Sequence, residues 1–263
     1  MATSFEESSH RRLLVTRADL CATHRLDRSK GLLQSEIESV KIFLIRYLTD
    51  IAKESSTYIR CRVVSTASVY FKRFYLVKNF SEFDPRAVAP ACLYLACKAE
   101  ECQVQAKLIV HITHKLYANG KYPFIAPIDI KQILDLELAI LEVLDFNLII
   151  YSAAAEMMQA LQDAKLEGLA RTAWGVLNDS FLTNAWLLHS PSAIAFGCIV
   201  MAGMIAQQDV LACVQEADVS MNEVCNVNGE LLRLYSQELN GSSMTDEAWH
   251  AACHRYICMV RGW

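Results

Sequence analysis

Asp84-Pro85-Arg86-Ala87-Val88-Ala89-Pro90-Ala91-Cys92-Leu93-Tyr94-Leu95-Ala96 is echoed 106 residues later by Ser190-Pro191-Ser192-Ala193-Ile194-Ala195-Phe196-Gly197-Cys198-Ile199-Val200-Met201-Ala202. In both copies small side chains stand 4, 7 and 11 residues after the proline: Ala89, Cys92 and Ala96, then Ala195, Cys198 and Ala202. Self-similarity of this kind points to a duplicated unit. Asp and Ser are preferred N-caps, and proline suits the first helical position, where an N–H would have no partner. Each stretch therefore opens a helix. The small residues share one stripe of that helix, where neighbouring backbones can approach, while Leu93, Tyr94 and Leu95, or Ile199, Val200 and Met201, load the other sides. A helix apolar nearly all round belongs inside a bundle.

Outward from these helices, 263 residues suffice for two compact domains. A hydrophobic content of 53%, a mean hydropathy of +0.20 and only 9 Gly and 5 Pro favour packed helices over turn-rich strands or disorder. The expectation is an all-α chain: an N-terminal helical extension (1–35), a first five-helix fold (36–150) and a second (151–263) closed by a short helix. Apolar spacing predicts first-fold helices over 35–51 (Ser35 a possible cap), 56–75, 85–101, 107–117 and 129–145, with a loop at 119–123. The second set falls at 156–166, 168–187, 191–207, 209–217 and 220–239, with a tail helix near 248–256. The folds are expected to meet near 148–152. Leu13, Leu14, Val15, Leu20 and Leu26 predict one short amphipathic helix before Gly31.

The uncharged stretch 190–208 holds 14 apolar residues from Ala193 to Ala206, short of the roughly 20 that cross a bilayer. The opening MATSFEESSHRR has no apolar signal region, so the protein is expected inside the cell, its ten cysteines reduced. Cys92, Cys97 and Cys102, spaced by five, are expected to scatter around a helix rather than converge on a metal. His250, Cys253, His254 and Cys258 are the best-spaced metal candidates, since imidazole and thiolate suit zinc. Ala251 stands where a catalytic HExxH needs glutamate, and the expected reading is an amphipathic terminal helix with no metal.

Charge divides unevenly. Residues 1–150 carry 20 basic and 17 acidic side chains, residues 151–263 only 5 and 12. Duplex binding calls for a concentrated basic face, which the second half cannot supply. A protein partner is expected, with no direct nucleic-acid or membrane contact. A phosphate-binding glycine loop and a GxSxG elbow are both absent from the sequence, and His111 and His114, one turn apart, read as surface or core residues. No catalytic residue or cofactor is expected.

Ser68-Val69-Tyr70-Phe71-Lys72-Arg73-Phe74-Tyr75, then Asp84-Pro85, Ala89-Pro90 and Leu93-Tyr94-Leu95-Ala96-Cys97-Lys98-Ala99-Glu100-Glu101, resembles the cyclin box, and most closely that of the C-type cyclins. The resemblance is strongest over 36–150 and continues through Asn178-Asp179-Ser180; Ser8-Ser9-His10 looks like the start of that family. Two departures stand out. Lys72 replaces the aspartate of many cell-cycle cyclins, as in transcriptional types, and Arg11-Arg12-Leu13 follows His10 where C-type cyclins carry aromatic residues.

The resemblance implies tandem cyclin folds and a nuclear, non-catalytic subunit that activates a cyclin-dependent kinase in transcription. For C-type cyclins the kinase and other subunits belong to the Mediator kinase module. H-type and T-type cyclins, or a nucleic-acid binder of the TFIIB type, are the alternatives. By position in the family, Lys98 and Glu137 would hold the kinase's regulatory helix. Lys98 ends an apolar helix, where the dipole favours a cation and an ammonium can reach carbonyls of another chain. Glu137 lies among Ile133, Leu134, Leu136, Leu138, Ile140 and Leu141, where a carboxylate needs a partner. An internal Lys98–Glu137 pair tying two helices is the competing reading. Glu100 and Glu101 follow the helix end and are expected to face the kinase as well. The resemblance implies that Glu101 engages kinase arginines that otherwise await an activation-loop phosphate, a chemically equivalent partner.

Overall fold

A computed structural model describes residue 5 and residues 8–55, 59–215, 217 and 219–239. Three short helices, α1 (Ser9–Arg12), α2 (Arg17–Ala22) and α3 (Arg25–Ser29), replace the one helix expected before Gly31. The cause is local. Val15 leaves helical geometry to donate its N–H to the Leu187 carbonyl at 2.9 Å, and His24 adopts a left-handed φ of 54° that separates α2 from α3. The described residues form two compact units, one of residues 17–149 and one joining residues up to Thr16 with those from Ile150 onward.

In the 17–149 unit, α4 (Gln34–Glu54), α5 (Cys61–Val77), α6 (Pro85–Ala99), α7 (Ala106–Ala118) and α8 (Ile130–Val143) follow α2 and α3. The Asp84 carboxylate caps α6, accepting from the Arg86 N–H at 2.9 Å, and α6 packs against α4, α5, α7 and α8. Ala89, Cys92 and Ala96 are all buried, as the small-residue stripe demands. Ser35 is not the cap of α4. That helix starts at Gln34, and its entry is secured by Glu36, which accepts the Leu33 N–H at 2.9 Å. Helix α5 starts at Cys61, not residue 56. Asp27, fully buried, accepts from the Phe80 and Ser81 N–H groups at 2.7 and 2.9 Å and ties α3 to the turn ahead of Asp84.

The other unit repeats the plan with α9 (Ala154–Asp163), α10 (Ala170–Ser180), α11 (Ala185–Leu188), α12 (Pro191–Ala206), α13 (Leu211–Gln215) and α14 (Met221–Leu239). Ser190 Oγ accepts from the Ala193 N–H, and α12 packs against α9, α10, α11, α13 and α14. Ala195, Cys198 and Ala202 are buried in their turn. At Gly197 a Cβ would stand 2.6 Å from Val227 Cγ1, so α14 crosses α12 where no side chain intervenes. The single helix expected over 168–187 is broken. A 3-10 turn (Glu167–Leu169) precedes α10, and Trp186 folds back so that its indole N–H donates to Ser180 Oγ at 2.8 Å while its ring stacks on Phe181. Helix α13 keeps only five residues of the expected 209–217.

The two central helices also end alike. Glu101 and Gln207, each 16 residues after its proline, adopt left-handed φ values of 54° and 55°. Glu101 N–H donates to the Lys98 carbonyl and Cys102 N–H to that of Cys97; Gln207 and Gln208 do the same to Met204 and Gly203. These are Schellman caps. The duplication therefore reaches past the helices into their terminators. The expected tail helix and the quartet His250, Cys253, His254 and Cys258 lie outside the described residues. Among the described residues no three metal-ligating side chains cluster, no helix is long and apolar enough to cross a membrane, and all regular structure is helical.

Candidate functional site

Lys98 sits in the last turn of α6 and Glu137 midway along α8, two helices that pack directly on one another. Their charged ends meet: Lys98 Nζ lies 2.6 Å from Glu137 Oε1. The Lys98 side chain is 50% exposed and that of Glu137 only 13%, so the pair presents its cation outward. The hydrogen bond it donates to Glu137 raises the affinity of the Lys98 amine for its proton, against a smaller opposing effect of burial, and keeps it charged. Nζ also lies 4.7 Å from the centroid of the Tyr94 ring, one turn back on α6, which further fixes the ammonium.

The apolar setting of Glu137 divides by helical face. Ile133 and Ile140 are buried toward the core, whereas Leu134 and Leu138 are 46% and 57% exposed beside the ion pair. Helix α8 thus has a second apolar strip that the fold leaves uncovered among the described residues.

Glu100 turns inward. Its Oε2 lies 2.6 Å from Arg62 Nε and its Oε1 accepts from the buried Thr66 hydroxyl at 2.7 Å, stapling the end of α6 to α5. Neither Arg62 nor Thr66 was singled out from sequence, although two polar residues four apart on the apolar α5 share a face and carry that signal. Glu101 points away. It is exposed, its carboxylate makes no ion pair among the described residues, and its backbone is left-handed. The structure thus joins Lys98 to Glu137 and Glu100 to Arg62, and leaves Glu101 as the open anion.

A family model described as the N-terminal domain of cyclins matches residues 20–149. Cyclin-C1-1 of Oryza sativa subsp. japonica is 38% identical over 236 residues, spanning 89% of this chain and 90% of that protein. The chain belongs to the cyclin family, in its C-type branch. This cyclin is also 35% identical over 257 residues to Cyclin-C1-2 of Arabidopsis thaliana, spanning 97% of this chain and 98% of that one. Against Cyclin-C of Rattus norvegicus the identity is 31% over 245 residues, spanning 91% and 86%.

Among solved structures, this cyclin resembles a chain of the CAK complex of Chaetomium thermophilum bound to ATP-gamma-S, with a TM-score of 0.77, 16% identity and coverage of 98% and 88% of the two chains. A chain of the yeast RNA Pol II CTD kinase CTDK-1 complex gives a TM-score of 0.67 at 16% identity, with coverage of 87% and 74%. At that identity the likeness establishes the fold. The duplicated helical units are tandem cyclin folds, as the repeated proline helices imply.

Proposed function

We propose that this C-type cyclin binds and activates a cyclin-dependent protein kinase of the transcription machinery, acting in the nucleus as part of the Mediator kinase module, and carries no catalysis of its own. The observation that carries this reading is the Lys98–Glu137 pair, half exposed beside the uncovered Leu134 and Leu138. An apolar strip with a fixed charge pair at its edge is the composition of an interface anchor. Its kinship with proteins named Cyclin-C, and the kinase complexes in which its structural neighbours occur, support the same assignment.

In this mechanism the kinase's regulatory helix lays its apolar face on Leu134 and Leu138. Lys98 donates to backbone carbonyls at one end of that helix and Glu137 accepts from N–H groups or a cation, so the pair clamps its position. Docking then completes the Lys–Glu ion pair that a kinase active site requires. Glu100, held by Arg62 and Thr66, supports the turn that carries Glu101, and Glu101 offers its carboxylate to the kinase's phosphate-binding arginines. The experiment is to purify the chain from its native cells, identify copurifying proteins by mass spectrometry, and assay the recovered kinase with and without the cyclin. A cyclin-dependent kinase with Mediator subunits, inactive until this chain is added, is the expected result. Kinase activity indifferent to the chain rejects the proposal.

A further inference from the structure

Cys97 and Cys102 stand at the two ends of the turn that terminates α6. The Cys102 N–H donates to the Cys97 carbonyl at 2.8 Å, which places the two residues at the positions of a Schellman cap whose side chains meet. Cys102 lies beyond the helix, and the reversal of the chain at Glu101 returns it toward Cys97. Neither cysteine is in a disulfide.

We propose that Cys97 and Cys102 form a reversible disulfide site that closes across this cap in its native geometry. The oxidant is hydrogen peroxide. Cys102, the more accessible sulfur, attacks the peroxide O–O bond, becomes a sulfenic acid and releases one water. Cys97 sulfur then attacks the Cys102 sulfur, the S–S bond forms, and the departing hydroxide takes the Cys97 proton as a second water. Two thiols thereby lose two protons and two electrons, and a dithiol returns them by exchange.

Burial pushes the Cys97 thiol up to about 12, with contributions from the charge and hydrogen bond of Cys102, so the second step is the slower one. Glu101 already occupies the left-handed conformation that the closed ring needs, and Lys98, Glu100 and Glu101 all lie between the linked residues. Closure therefore locks the segment without reshaping it. The proposal is independent of the kinase-binding reading, since the bond is assayed on the chain alone.

The test treats the full chain with hydrogen peroxide, blocks remaining thiols, and digests with trypsin. Cleavage after Lys98 separates the cysteines, so the disulfide joins peptide 87–98 to peptide 99–107. That linked pair is expected in Cys92→Ala protein, which removes the other cysteine of the first peptide, to vanish in Cys102→Ser, and to revert with dithiothreitol. Amide hydrogen exchange over 98–104 is expected to slow in the oxidised form. Recovery of Cys102 as a blocked thiol or joined to another cysteine, under peroxide doses that oxidise exposed Cys21, overturns the proposal. Faster exchange in the linked form overturns it equally, because the bond would then require an unravelled cap.

Discussion

Lys98 Nζ and Glu137 Oε1 lie 2.6 Å apart across the α6–α8 contact, with the lysine half exposed and the glutamate largely covered. A pair so open to water contributes under about 1 kcal/mol to folding, because solvent screens it and two side chains must be ordered. Buried beneath a docked helix, the same charges become costly to leave single. Lys98→Ala and Glu137→Ala are therefore expected to lower unfolding free energy by under about 1 kcal/mol each. Both should weaken kinase association by about 2–5 kcal/mol. Denaturant titration and calorimetry with the purified kinase measure the two effects, and equal losses in both would assign the pair to the fold alone.

Glu101 is the strained member of the site. A left-handed backbone costs a residue with a Cβ roughly 1 kcal/mol more than glycine. Glu101→Gly should therefore stabilise the 17–149 unit by about 1 kcal/mol, while Glu101→Gln leaves stability unchanged. In complex with unphosphorylated kinase, both variants are expected to lose turnover without losing assembly, since both remove the carboxylate. Wild-type turnover in Glu101→Gln would reduce this residue to a helix terminator, the role that Gln207 fills in the second repeat.

The architecture was legible because Pro85 and Pro191 mark equivalent helices, and the caps, small-residue stripes and apolar periods agree around each. What escaped was tertiary. The break between α10 and α11 depends on the Trp186 indole finding Ser180, and no period of the 168–187 stretch encodes that contact. The N-terminal helices divide at His24 because Asp27 is drawn to the N–H groups of Phe80 and Ser81, 53 and 54 residues away. At the site, the residue types and positions of Lys98 and Glu137 could be read, but not that Glu100 is occupied by Arg62 and Thr66 whereas Glu101 is open. That distinction arises from one left-handed residue, invisible in a chain that places glutamate where glycine is the usual choice.

Glu100 supplies a contrasting prediction. Its removal leaves the buried Thr66 hydroxyl without its acceptor, a loss of about 1–3 kcal/mol, whereas Arg62, largely exposed, forfeits under about 1 kcal/mol. Glu100→Ala should accordingly destabilise the cyclin more than Arg62→Ala in denaturant titrations. Kinase association should change little in either variant once folding is corrected for. Equal destabilisation would mean that the surface ion pair, rather than the buried hydroxyl, holds the cap.

The buried His24–Asp27 contact, 2.8 Å long, makes stability depend on pH in one direction. Burial lowers the His24 imidazole below its ordinary 6.5, opposed by the hydrogen bond it donates to Asp27 and aided by the Lys41 charge. Burial would raise Asp27 above its ordinary 3.8, but the hydrogen bonds from His24 and from the Phe80 and Ser81 N–H groups outweigh it and hold the carboxyl lower. Between the folded and unfolded values of each group the unfolded chain binds more protons, so acid favours unfolding. Stability from His24 is complete above pH 6.5 and declines below it; that from Asp27 is complete above 3.8 and is lost under stronger acid. Asp27→Asn should cost about 2–3 kcal/mol at pH 7, because the amide oxygen cannot replace both carboxylate oxygens. His24→Asn, whose side chain tolerates the left-handed backbone, removes the titrating ring and should flatten the decline between pH 7 and 5. Urea titrations at pH 7, 6 and 5 test both, and a His24→Asn curve running parallel to wild type would place the acid sensitivity elsewhere in the chain.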